Sequence, residues 1–214
     1  MLNRSHMTTR TITLAITGAS GVQYGLRLLE CLVQAKLKVY VLISSAAQVV
    51  IATETDLKLA NRPDDAQRQL STLYHAETGQ IEVFGKENWM APIASGSNSA
   101  DAMVVCPCSS ATLSAIAHGT SGDLIERAAD VMLKEQRKLI LVNREMPLSA
   151  IHLENMTLLA RLGVIIMPAC PGFYHKPQKV QDLVDFVVAR VLDHLNVPHQ
   201  LIPRWGQLPI ATGP

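Results

Sequence analysis

The 214-residue chain is short of several things, and each shortage removes a class of protein. Aromatic residues are 4% of it, too few for a stacking platform that binds single-stranded nucleic acid. Formal net charge is +1, so neither a polyanion nor an anionic membrane surface is strongly attracted. No nucleic-acid or membrane partner is expected. No apolar run approaches the ~20 residues of a membrane-crossing helix. Cysteine is scarce: Cys31, Cys106, Cys108 and Cys170. Cys106 and Cys108 form a C-x-C pair, but no second pair or His-x-x-His partner completes a four-ligand zinc site. No metal is expected, and the thiols read as small buried groups in a reducing cytoplasm.

Motifs are missing too. There is no G-x-G-x-x-G, and the second strand ends in Ser44-Ser45 rather than in an acid that holds a ribose diol, so a nicotinamide cofactor is disfavoured. No G-x-x-x-x-G-K-[ST] marks a P-loop. The one Asp pair, Asp64-Asp-Ala-Gln-Arg68, does not complete the D-D-x-x-D that holds a diphosphate through magnesium.

What is present is a series of aliphatic runs that each end in small, hydroxylated or charged residues. The central one is Leu139-Ile-Leu-Val-Asn-Arg-Glu-Met-Pro-Leu148. Its apolar start reads as a strand buried on both faces, and Pro147 blocks its continuation. Arg144 and Glu145 therefore sit at a strand's carboxyl end, where open α/β sheets bind ligands. The competing reading is a surface ion pair, which is worth little. Four other runs behave alike. Residues 11–17 form a strand that enters Gly18-Ala-Ser-Gly21 and a helix over 22–36, whose amino end favours an anion. Residues 38–43 lead to Ser44, whose hydroxyl suits a phosphate, and to a helix over 46–53. Residues 102–106 lead to Pro107-Cys-Ser-Ser-Ala-Thr112 and a helix through Ala117. Residues 164–167 lead to a stiff loop over 168–177 carrying Tyr174, His175 and Lys176.

Between these, residues 57–88 are polar and weakly periodic, and Trp89 lies in a loop of small residues. Helices are predicted over 124–137, 149–162 with Ser149 as cap, and 180–195 with Arg190 in its second half. Arg127 and Lys134, seven apart, share a helical face. Asp130 and Glu135 nearby also allow that face to be merely solvated. Residues 1–6 read as a vector-derived tail, and residues 7–214 as one domain with a Pro-rich end. Five strands alternating with helices imply a parallel sheet with right-handed crossovers and helices on both faces, a Rossmann-like (flavodoxin-like) α/β domain. The five strand ends together make a pocket for a flat, phosphorylated ligand, with Arg127, Lys134, Arg144 and Arg190 as a second anion locus.

Gly18-Ala-Ser-Gly21, Pro107-Cys-Ser-Ser-Ala-Thr-Leu-Ser114, the stretch from Arg127 to Glu135, Arg144-Glu-Met-Pro-Leu148 and Phe173-Tyr-His-Lys-Pro177 resemble the UbiX family of flavin prenyltransferases. The likeness runs from Thr11 to Trp205. The related cysteine decarboxylases carry P-A-S-A-N-T and a Met-Asn motif, which this chain lacks. The resemblance implies transfer of a dimethylallyl group from dimethylallyl phosphate to N5 and C6 of reduced FMN, without a metal. It also implies a dodecamer with shared sites, and use of the prenylated flavin by a UbiD-type decarboxylase in ubiquinone synthesis or aromatic-acid metabolism. By the same resemblance Gly18, Ala19, Ser20, Ser44, Ser109, Ser110, Ala111, Thr112 and Arg144 contact FMN. Tyr174, Arg190, Lys134, Arg127 and Glu145 surround the prenyl phosphate. Trp89 lies near the allyl group, where its face can stabilise an allylic cation. Glu145 is the acid/base candidate, and Ser20 a proton relay. Two alternatives stay open. A decarboxylase would release carbon dioxide unaided. A non-catalytic FMN carrier would leave the cations beside Glu145 unexplained.

Overall fold

The computed structural model describes residues 10–204. The expected tail at 1–6 and Trp205 lie outside the described residues. Six strands form one parallel sheet: β1 (Thr11–Ile16), β2 (Lys38–Ile43), β3 (Ile81–Phe84), β4 (Ala102–Cys108), β5 (Lys138–Asn143) and β6 (Ile165–Ile166), in the order β3-β2-β1-β4-β5-β6. Seven helices accompany them: α1 (Val22–Gln34), α2 (Ser45–Glu54), α3 (Pro63–Leu73), α4 (Ser110–Ala117), α5 (Leu124–Lys134), α6 (Ala150–Arg161) and α7 (Val180–Leu195).

Alternation along the central strands builds two cores. Ile12, Leu14, Ile16, Val39, Val41, Val104, Ile140 and Val142 face one layer, with α1, α2, α3 and α7. Ala15, Tyr40, Leu42, Met103, Val105, Leu139 and Leu141 face the other, with α4, α5 and α6. Strands covered on both sides are apolar throughout, which is why they stood out in the sequence. The layers exchange at β1, where the strand order turns in opposite directions toward β2 and toward β4. Ligands bind at such a switch point, beyond the strands' carboxyl ends.

Close packing fixes the frame there. A Cβ on Gly25 of α1 would lie 2.2 Å from the Cys106 carbonyl oxygen, so α1 rests directly on β4. On α7, Val184, Val187, Val188, Val191, Leu192 and Leu195 form one buried stripe against the α1 layer. Arg27 joins the two helices through Asp185 at 2.8 Å.

Four expectations need correction. Cys170, expected as a buried thiol, is exposed on the loop after the last strand. The sheet has six strands, not five: β3 and α3 both lie in the polar stretch 57–88. A four-residue edge strand is too short to show a period; β3 is held by pairing with β2 and by the Gln67 side chain, which accepts from Val83 N at 3.0 Å. The last strand shrinks to Ile165–Ile166 at the other edge, and the helix expected over 124–137 stops at Lys134.

Candidate active site

Three chain turns meet at the switch point, and a buried threonine locks two of them. Thr17 Oγ1 donates to Pro107 O and accepts from Ser109 N, both at 2.8 Å. The β1 turn and the β4 turn are thus one rigid unit. The β5 turn joins it through Arg144, whose backbone N–H donates to Cys108 O at 3.3 Å and whose Nε donates to Ser20 O at 3.2 Å. Sequence reasoning treated Thr17 only as a strand end. A hydroxyl at the last position of an otherwise aliphatic run is the signal that could have found it.

Two helix amino ends open onto this unit. Ser44 caps α2, accepting from Ala47 N at 3.0 Å, and Ser109 caps α4, accepting from Thr112 N at 3.3 Å. Ser109 and Thr112 hydroxyls also pair at 3.0 Å. A cap hydroxyl accepts from its own helix and still has a proton to donate outward. Helix α2 lies against the β1 turn at both ends: a Cβ on Gly18 would come within 2.4 Å of Ala46 Cβ, and Glu54 reaches Gly21. Ala19 is buried and Ser20 exposed.

The amino end of α1 differs from expectation. Glu54 Oε2 accepts from Gly21 N at 2.9 Å and Val22 N at 3.3 Å. The anion that this helix end favours is the chain's own carboxylate. Glu54 was missed because nothing in its local sequence links it to a turn 33 residues earlier.

Glu145 is exposed beside α4. Its Oε2 accepts from Ser110 Oγ at 2.7 Å and its Oε1 from Met146 N at 3.2 Å. The Ser110 hydroxyl first, and then the Met146 N–H, hold this carboxyl below the usual carboxylate range; the Arg144 charge ranks lower. The loop ends at a reciprocal cap on α6, in which Ser149 N donates to His152 Nδ1 at 3.2 Å and His152 N to Ser149 Oγ at 3.3 Å. The C-x-C pair offers no nucleophile, although Cys108 Sγ donates to Ser109 O at 3.6 Å in the β4 turn. Complete burial pushes Cys106 up and Cys108 up to about 12, so both stay protonated and inert.

The remaining predicted residues fall elsewhere. Arg127 lies on α5, with Nη1 on Asp130 at 2.8 Å and Nε on Ala94 O at 3.0 Å. Lys134 pairs with Glu135 at the end of the same helix. Arg190 lies on α7, in the opposite layer, and pairs with Asp193 at 2.6 Å. It lines a cavity of about 790 Å³ with Tyr174, His175, His199 and Arg204, none of them part of the sheet-edge unit. Trp89 is half-exposed on the connection from β3 to β4. The expected four-cation locus is therefore not assembled within one chain. Arg127, Lys134 and Arg190 each hold a carboxylate of their own, as the solvated-face reading of α5 allowed.

The chain is similar to known flavoproteins. A family profile described as Flavoprotein matches residues 2–192. The flavin prenyltransferase UbiX of Pseudomonas aeruginosa is 61% identical over 196 residues, 92% of this chain and 94% of its own. AnUbiX, solved in complex with FMN and dimethylallyl pyrophosphate, is 41% identical, with a TM-score of 0.82 over 92% of this chain and 97% of that one. A dodecameric FMN-dependent UbiX-like decarboxylase from Escherichia coli is 40% identical, with a TM-score of 0.81 over 91% of this chain and 98% of its own.

Proposed function

The chain belongs to the flavoprotein family, among its UbiX flavin prenyltransferases, and from that premise we propose an assignment of its residues to the reaction. The chain is a prenyl transferase that moves a dimethylallyl group from dimethylallyl phosphate to N5 and C6 of reduced FMN. Reduced FMN, when bound, supplies the nucleophilic atoms that accept the group.

The donor set at the switch point suits FMN. Two helix amino ends with cap hydroxyls, at Ser44 and at Ser109 to Thr112, offer a dianion N–H and O–H donors. Gly18, Ala19 and Ser20 form the floor beside them, with Ser20 exposed to hold or relay a proton. Arg144 supplies a positive charge fixed by its link to Ser20 O. Ser110 and Ala111 open the α4 wall toward Glu145.

Breaking the allylic C–O bond places charge on the leaving phosphate, and fixed cations and donors stabilise it. Tyr174 and Arg190 are assigned to that phosphate, together with Arg127 and Lys134. In one chain they lie at separate places, so the site is completed between copies in a homo-oligomer, here taken as a dodecamer. Trp89, half-exposed and on another segment, faces the allyl group in that arrangement. Glu145 is the acid/base group. The observation that carries this assignment is the Ser110–Glu145 hydrogen bond at 2.7 Å, which keeps an ionised carboxylate at the edge of the flavin site. The prenylated flavin then passes to a UbiD-type decarboxylase in the cytoplasm.

Anaerobic incubation of the protein with reduced FMN and dimethylallyl phosphate, followed by mass analysis of the flavin, tests the reaction. The flavin is expected to become heavier by one prenyl unit. Recovery of unaltered flavin with both reactants present would falsify the assignment.

A further inference from the structure

Arg190 is half of a longer assembly. Its Nη1 donates to Asp193 Oδ2 at 2.6 Å, and the other carboxylate oxygen, Oδ1, pairs with His199 Nε2 at 3.1 Å. A carboxylate only accepts, so Nε2 carries the proton. His199 stands past the end of α7, beyond the left-handed Asn196 and Pro198, and its side chain is 10% exposed. Its other ring nitrogen, Nδ1, is shut from solvent with no hydrogen-bond partner among the described residues. A buried orphan nitrogen is costly, so its retention needs a reason, and the bond made by Nε2 offers one. Arg190, Asp193 and His199 line the same cavity as Tyr174, His175 and Arg204.

We propose that Asp193 and His199 are positioning residues for the prenyl phosphate site: His199 pins the Asp193 carboxylate from behind, and Asp193 holds the Arg190 guanidinium in place for the phosphate. This rests on the reading of Arg190 as a phosphate contact. The physical need is clear from the side chains. Arg190 and Asp193 are three apart on an exposed helix face, and such a pair alone is weak and mobile. A second anchor on the carboxylate removes its freedom to turn. The guanidinium commits Nη1 to Asp193, and among the described residues its remaining N–H groups make no other hydrogen bond, leaving them for an oxyanion. The His199 N–H also draws on the carboxylate's charge, so the incoming phosphate meets less repulsion.

The test is steady-state kinetics of the full-length assembled protein with reduced FMN and varied dimethylallyl phosphate. His199→Leu keeps the bulk and loses the donor. It is expected to raise KM for dimethylallyl phosphate about tenfold while kcat and FMN affinity stay near the parent values. His199→Gln, whose amide N–H replaces that of Nε2, is expected to restore KM. Asp193→Asn reads the same link without disturbing the His199 packing, and should also raise KM. The inference is overturned by an unchanged KM in His199→Leu and Asp193→Asn, by equal rises in the Leu and Gln variants, or by flavin affinity falling in step with KM. Arg190→Ala separates the two levels. If it raises KM while His199→Leu and Asp193→Asn do not, the inference alone fails. If Arg190→Ala leaves KM unaltered, the phosphate reading fails and takes the inference with it.

Discussion

At the scale of residues, the proposed acid–base chemistry rests on the Ser110–Glu145 pair. Glu145 has a folded-state value below its unfolded one, chiefly because Ser110 donates to it. The sign follows: the ionised form is favoured above the unfolded value, and that advantage is lost as pH falls through the folded value. With Glu145 as acid/base group, the acid limb of the kcat/KM profile is expected below the ordinary glutamate value of ~4.3. Ser110→Ala removes the largest lowering influence, so its limb should move up toward that value; superimposable profiles for the two proteins would detach Ser110 from the carboxylate's charge. Glu145→Gln keeps the shape and loses the proton function. Product formation should fall ~10²–10⁴-fold with FMN affinity kept. A parallel fall in FMN affinity, read by flavin titration, would mean that Glu145 serves only to orient the loop.

At the scale of elements, the frame that brings the turns together is α1 lying on β4. Gly25 permits that contact, since any Cβ would enter the Cys106 carbonyl at 2.2 Å. Both partners are backbone-level features of packed elements, so neither can give way cheaply. Gly25→Ala should destabilise the protein by ~1–3 kcal/mol despite the better helix propensity of Ala. Urea unfolding of parent and variant decides it, and equal midpoints would show that α1 can lift off β4 without cost. The helix ends were readable in the sequence where the chemistry is local: Ser149 caps α6, and α7 spans the expected Val180–Leu195. β3 was not readable, because its four residues are strand only through β2.

At the scale of the whole molecule, the chain leaves apolar surface uncovered beside the loop that carries Glu145. Ile151, Leu158 and Leu162 on and just beyond α6 are 66%, 43% and 62% exposed. Their spacing of seven and four puts them on one face. Met146 and Leu148, on the loop that carries Glu145, extend the exposed apolar surface toward the site. A stripe of this kind marks an interaction surface, and a second copy is the occupant expected from the divided cation groups. Leu158→Glu places a charge in the stripe. Light scattering should show a smaller particle, and prenyl transfer should fall with it, because the proposed meeting of Arg127, Lys134 and Arg190 at a phosphate then fails. A variant of parental mass and activity would move the interface away from α6.

The sequence by itself determined the α/β class, the switch-point turns and the two arms of the Arg144–Glu145 corner. Those depend on local order: aliphatic runs, small turn residues and caps within a few positions of one another. The tertiary structure alone decided three other matters. It placed the Glu54 carboxylate on the amino end of α1, closing that end to a phosphate. It locked the β1 and β4 turns through Thr17, 90 residues from its partner. It also separated the cations that helical spacing and the family resemblance had grouped, setting Arg127 and Lys134 on α5 and Arg190 on α7 in opposite layers. Spacing along a helix says which residues share a face. Which layer that face joins, and which carboxylate it meets there, is set by the fold of the sheet.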